Sequence, residues 1–298
     1  MPNRKAILIS NPKTGRYASS RTPPIQELSI YLKSLGVEVE LVSTAGPGDA
    51  TEIASRASQN GASDVIVAGG DGTINEALQG LTGTSARLGI IPRGTANVLA
   101  RELGLPLDGM QAAEVIASGR SRHIHFGVAI DEMKDTRRYF LLMAGIGLDA
   151  SVVRRVRPWL KQRIGKGAFW LSGLSHLAKW NPKSFVIEAE GRQHTATFAA
   201  IGNAASYGGD LAITPRAQLD QPEFEVCIID TFSRLRYLSL LSYAMRSGMP
   251  QNKGGVRFLQ ARTVIATGDA PVQVDGELIG QLPMRFEIAG HSLEVIVP

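Results

Sequence analysis

The chain has 298 residues, 44% of them hydrophobic, which is long enough for two domains and a sizeable buried core. Its single cysteine, Cys227, excludes an internal disulfide and a cysteine-rich zinc site, and no apolar run reaches the roughly 18 residues that span a bilayer. A net charge of +5 and a pI near 9.4 point to an anionic partner, while the scarcity of Lys/Arg clusters with neighbouring aromatics argues against nucleic acid.

The opening apolar run stops at Asn11 and Pro12 before a signal-peptide core develops, so a cytoplasmic location is expected. From there to about Arg122 strands and helices alternate. Residues 6–9 read as a first strand, 23–35 as a helix closed by Gly36, and 37–42 as a second strand. Residues 50–59 read as a second helix ending at Gly61, 64–68 as a third strand and 88–91 as a fourth. Such alternation implies a Rossmann-like parallel sheet with ligands outside the carboxyl ends of its strands. The loops at that edge are Asn11-Pro12-Lys13-Thr14-Gly15, Ser43-Thr44-Ala45-Gly46, the Gly69 loop, and Pro92-Arg93-Gly94-Thr95-Ala96-Asn97. Each alone is an ordinary turn; four small polar loops on one edge suggest one site.

The third of these loops organises the rest. Residues 64–68 form a β-branched apolar run that breaks into Gly69-Gly70-Asp71-Gly72-Thr73 and restarts as a helix. The glycines permit positive φ and close approach of amides to a ligand. Thr73 and Glu76 have capping-box spacing, which places the helix start at Thr73 with its free amides aimed at the glycines. A helix N-terminus beside bare amides attracts phosphate. Asp71 would repel phosphate unless a divalent cation intervened, which points to a magnesium and nucleotide site; the alternative is that Asp71 is a helix cap. The stretch is neither a Walker A loop nor a Gly-x-Gly-x-x-Gly fingerprint.

Beyond Gly119 short strand-like runs dominate, at 123–130, 138–144, 183–190, 195–202, 224–229, 263–266, 272–274, 284–288 and 293–297. This density suggests a β-sandwich, so the expected domains are 1–122 and 123–298. Between the strands, residues 152–180 carry Arg154, Arg155, Arg157, Lys161, Arg163 and Lys166 with Trp159, Phe169, Trp170 and Trp180 and no acid. That composition suits either an anionic membrane interface or a surface helix with one solvated face. Near the end, Asp275-Gly276 between apolar residues is a hairpin signal, and it also presents Glu277 as a candidate general base with Asp275 fixing its surroundings.

Taken in order, Asn11-Pro12, Gly69-Gly70-Asp71-Gly72-Thr73, Gly94-Thr95-Ala96-Asn97, Gly145-Ile146-Gly147-Leu148-Asp149 and Val274-Asp275-Gly276-Glu277 resemble the diacylglycerol kinase catalytic-domain family, bacterial lipid kinase branch. Gly-Gly-Asp-Gly-Thr alone is shared with NAD kinases and phosphofructokinases; the full series is more specific. The resemblance implies a nucleotide-binding α/β domain, a β-sandwich domain, an active site in the cleft between them, and magnesium-dependent transfer of the ATP γ-phosphate to a lipid hydroxyl at a membrane surface. It assigns ATP contacts to Asn11, Thr44, Gly69, Gly70, Asp71, Gly72, Thr73, Ile74, Asn75, Gly94, Thr95 and Asn97, and proton acceptance to Glu277, with Asp71 and Asp275 beside it in the catalytic set.

The same resemblance implies a magnesium site in the second domain at Pro215-Arg216-Ala217-Gln218-Leu219-Asp220, with Ala217 and Asp220 as ligands, although Gln221-Pro222 follows where glycine is expected. Val98 and His125 stand where the family commonly has aspartates. Two other functions stay open at this point: a nucleotide- or lipid-binding protein without turnover, and an NAD kinase.

Overall fold

The computed structural model describes residues 4–12, 23–147, 150, 182–207, 211–233, 235–237, 239–240 and 255–298. The basic, tryptophan-containing stretch 152–180, the loop residues Lys13, Thr14 and Gly15, and Leu148 and Asp149 lie outside the described residues. The chain forms two compact units, residues 1–124 with 291–298, and residues 125–290.

In the first unit, β1 (Arg4–Ser10), α1 (Ile25–Ser34), β2 (Val37–Ser43), α2 (Asp49–Gln59), β3 (Asp64–Gly69), α3 (Asp71–Leu81) and β4 (Arg87–Pro92) alternate as expected. α4 (Val98–Glu102), α5 (Gly109–Ser118) and β5 (Ser121–Ile124) follow. The strand order begins β2-β1-β3-β4, all parallel, in a register that sets Ser10 beside Ser43 and Ala68, and Gly69 beside Pro92. All four carboxyl ends therefore open on one edge. Leu28 and Leu32 of α1 and Ala112, Ala113 and Ile116 of α5 join Leu8, Val39 and Ile66 in a single buried cluster. α2 and α3 pack closely, and a Cβ at Gly80 of α3 would lie 2.2 Å from the Thr51 carbonyl of α2.

The second unit contains β6 (Gly127–Asp131), β7 (Thr136–Phe140), β8 (Met143–Gly147), β9 (Phe185–Ala189), β10 (Arg192–Ala196) and β11 (Phe198–Gly202). The short β12 (Ser206–Tyr207) and β13 (Leu211–Ala212) precede β14 (Phe224–Ile229), β15 (Val256–Ala261), β16 (Thr263–Gly268), β17 (Pro271–Val274), β18 (Glu277–Gln281) and β19 (Met284–Ile288). Two antiparallel six-stranded sheets result, β10-β9-β16-β19-β6-β7 and β15-β14-β11-β8-β17-β18. Phe140, Phe185, Ile187 and Phe286 of one sheet meet Ile146, Ile201, Phe224 and Val226 of the other in one buried cluster, the core of a β-sandwich.

Four local readings change, the first being the run 195–202, which divides between β10 and β11 of opposite sheets. The run 123–130 is two strands, because the chain leaves β5 of the first unit and resumes as β6 in the second. The run 138–144 also divides, between β7 and β8, which belong to opposite sheets of the sandwich. The last strand, β20 (Leu293–Ile296), returns to the first unit, where it lies parallel to β4 and antiparallel to β5. Its alternating pattern identifies a strand, and nothing within four residues can identify its sheet.

Candidate active site

The phosphate-seeking loop is built by contact between backbones. Gly70 is the N-cap of α3, which starts at Asp71, two residues before the capping-box expectation. Glu76 does not close that box: its carboxylate accepts the Gly48 amide at 3.1 Å, and Thr73 Oγ1 accepts from Asn11 Nδ2 at 3.2 Å. The glycines do not use positive φ either. They are needed for space. A Cβ at Gly94 would lie 2.6 Å from Gly70 Cα, and one at Gly69 would lie 2.9 Å from Thr73 Cβ, whereas one at Gly72 would meet nothing within 4 Å. The third and fourth loops thus touch through bare backbone, and Gly72 leaves an open face at the helix start. Helical geometry leaves the amides of Asp71, Gly72 and Thr73 without partners inside α3; the Ile74 amide is the first to be paired, to the Gly70 carbonyl at 3.1 Å.

Neighbouring residues fasten this arrangement. Asn97, at φ 48°, accepts the Gly94 amide through Oδ1 at 2.8 Å and donates Nδ2 to the Gly94 carbonyl at 2.9 Å, which closes the turn that exposes Thr95. Thr44 is buried and its amide donates to Ser10 at 2.9 Å. Asp49 accepts the Ala45 and Gly46 amides at 2.6 and 2.9 Å, and these bonds hold its carboxyl below the usual carboxylate range. Thr73, Ile74 and Asn75 are buried. Asp71 Oδ1 accepts the Leu99 amide at 3.1 Å, capping α4 across space.

In the second unit, Asp275 and Gly276 occupy left-handed conformations, φ 46° and 84°, in the two-residue turn joining β17 to β18. The Asp275 carboxylate accepts three amides, from Leu141 at 2.7 Å, Leu142 at 2.9 Å and Met143 at 3.0 Å. It fixes the turn onto the start of β8. Glu277, next along, is exposed and ion-paired to Arg138 of β7. Asn203 is fully buried, donating to the carbonyls of Leu141 and His125 at 2.7 and 2.9 Å.

The expected magnesium positions can be tested on these groups. Among the described residues no three His, Cys, Asp or Glu side chains converge. Asp71 has one oxygen on an amide, and Val98 brings buried hydrocarbon. Asp220 is exposed. The loop that carries it is organised instead by Glu225, a buried carboxylate that accepts the Arg216 amide at 2.7 Å; burial raises its pKa. Asp220 thus offers one exposed carboxylate at the expected position, and a magnesium held there would take its other oxygens from backbone carbonyls and water.

Sequence reasoning missed Glu225, Asn203 and Arg138. Arg138 and Asn203 act on residues distant in sequence, 139 positions away for Arg138 and Glu277, and Glu225 acts on the loop nine positions before it; none sits in a local motif.

Comparison with known proteins matches two family models in succession, the second of which takes in the β20 segment that the structure groups with the first unit. Residues 5–129 match the family model described as the diacylglycerol kinase catalytic domain, and residues 143–297 match the YegS C-terminal NAD kinase beta sandwich-like domain. A diacylglycerol kinase of Staphylococcus saprophyticus is 31% identical over 99% of this chain and 96% of its own length. One of Staphylococcus carnosus is 31% identical over 99% and 95%. A crystal structure of a diacylglycerol kinase from Bacillus anthracis superposes with a TM-score of 0.75 at 20% identity, covering 100% of this chain and 98% of that one. A second structure from that organism gives 0.80 at 23% identity, covering 99% and 97%.

Proposed function

The chain belongs to the diacylglycerol kinase catalytic-domain family, and from that premise we propose that it transfers the γ-phosphate of magnesium ATP to the hydroxyl of a diacylglycerol-like lipid. It is a lipid kinase with a hydroxyl acceptor. The observation that carries the finer reading is the meeting of Gly70 and Gly94, which leaves the amides of Gly72 and Thr73 and the exposed Thr95 at the carboxyl edge of the parallel sheet.

Phosphoryl transfer asks a protein mainly for positioning and charge stabilisation. In this reading the Gly69–Asn75 stretch, with Asn11, Thr44 and the Gly94–Asn97 turn, holds the nucleotide phosphates, and Asp71 faces the cation they carry. Glu277 accepts the lipid hydroxyl proton as the new O–P bond forms, the bond from γ-phosphorus to the bridging oxygen breaks, and ADP departs. Asp275 holds the Glu277 turn. The acceptor is met at a membrane surface, from the cytoplasmic side; no described helix is long and apolar enough to cross a membrane.

The test is transfer of labelled γ-phosphate from magnesium ATP into a mixed lipid extract, beside a Glu277→Ala control. A labelled lipid lost by about two to four orders of magnitude in the control supports the mechanism. Turnover unchanged by the substitution removes Glu277 as base. ATP binding with no labelled lipid would favour a non-catalytic binding protein, a reading supported by Val98, whose buried hydrocarbon stands where the family commonly has an acid.

A further inference from the structure

Glu277 is poorly placed to hold itself still. Its side chain is 60% exposed at the start of β18, next to a two-residue turn, and nothing on its own strand fixes its rotamer. A free glutamate loses conformational entropy on being ordered. The one described group that meets it comes from the other sheet: Arg138 of β7 donates Nη2 to Glu277 Oε2. Arg138 is itself mostly buried, 27% exposed, so it is the stiff member of the pair.

The geometry has a stereochemical consequence. The guanidinium engages one carboxylate oxygen and leaves Oε1 without a described donor. A base that receives a proton from a hydroxyl needs this division, one oxygen fixed and the other presented. Arginine also stays charged through the reaction cycle, so the hold persists whenever Glu277 is ionised.

Resting on the reading of Glu277 as base, we propose that Arg138 is a positioning residue of the reaction, aligning the Glu277 carboxylate for proton acceptance by an ion pair that bridges the two sheets of the sandwich. It touches neither nucleotide nor reacting atoms in this assignment. Its effect therefore belongs to turnover, not to ATP binding.

The experiment is a double-mutant cycle on the full chain, measuring kcat and the KM for ATP in Glu277→Gln, Arg138→Met and the double variant, with Arg138→Lys as the conservative partner. Expected are a fall in kcat of about 10–100-fold for Arg138→Met with KM for ATP unchanged, partial recovery in Arg138→Lys, and no further loss from Arg138→Met once Glu277 is Gln. A kcat unaffected by both Arg138 substitutions overturns the proposal, as does a loss that multiplies independently with that of Glu277→Gln. If Arg138→Met does not fold, the same cycle run with Arg138→Lys decides. Wild-type turnover in Glu277→Gln would overturn the reading of the base itself, a separate result from loss of coupling.

Discussion

Asn203 and Asp275 grip the same residue from opposite ends: the Asn203 side-chain amide donates to the Leu141 carbonyl at 2.7 Å, and the Asp275 carboxylate accepts the Leu141 amide at 2.7 Å. The segment between β7 and β8 is thereby held by two side chains whose backbones lie in other strands or turns of the sandwich. Asp275→Asn keeps the left-handed backbone but offers one acceptor oxygen to three amides. It should destabilise the protein by about 2–4 kcal/mol in urea unfolding. A midpoint within error of wild type would mean that the amides find other partners.

The Gly70–Gly94 contact and the open Gly72 make opposite predictions for the same substitution. Gly94→Ala drives a Cβ into backbone and into Asn97 Oδ1, and should cost about 1–3 kcal/mol with weakened ATP binding. Gly72→Ala meets no protein atom, and should be neutral or stabilising by up to about 1 kcal/mol. If phosphate occupies the open face, Gly72→Ala should still raise the Kd for ATP. Isothermal titration beside thermal melting separates the two; unaltered ATP affinity in Gly72→Ala would move the phosphates elsewhere.

Asp71 invites a separation of capping from chemistry. Asp71→Asn retains an oxygen for the Leu99 amide and should change stability by less than about 1 kcal/mol. If Asp71 faces the cation carried by the nucleotide, as proposed, turnover should nonetheless fall by on the order of 100-fold with the loss of its charge. Equal turnover in Asp71→Asn and wild type would reduce Asp71 to a cap for α4.

Glu225 sets a pH dependence. Burial raises its folded pKa, opposed by the amides of Arg216 and Ala217, so the folded state holds this proton to higher pH than the unfolded chain does. Stability from this group is present at acid pH and declines as pH rises from the ordinary carboxylate value through the raised one. Denaturation midpoints of wild type should therefore drop relative to Glu225→Gln as pH rises above the ordinary glutamate value of about 4.3. Parallel curves would show that the amide bonds to the carboxylate offset the effect of its burial.

Much of the first unit was legible because its signals are local. Apolar runs such as Asp64–Gly69, closed by glycine, read as buried parallel strands, and parallel alternation forces their loops to one edge. The role of each loop glycine was not legible. Gly70 and Gly94 lie 24 positions apart, and only the register of β3 against β4 brings them together. The capping-box spacing of Thr73 and Glu76 misled for a related reason: Gly48, at φ 88° ahead of α2, supplied Glu76 with a better-placed amide than its own helix did. In the second unit the hairpin at Asp275-Gly276 was legible from its two turn residues, whereas the reach of the Asp275 carboxylate to the amides of residues 141–143 was not.

The return of β20 bears on how the protein is made. A ribosome delivers residues 1–124 long before 293–296, yet β4 and β5 of that early portion are joined only through the late strand. Until then the nascent first unit carries two strand edges with unpaired amides and carbonyls, a template for pairing with other chains. The intervening 166 residues, 125–290, have their own core and sheets and can fold meanwhile. Completion of the first unit's sheet therefore waits for the synthesis of residues 293–296, and expression of residues 1–124 alone should yield an aggregation-prone fragment.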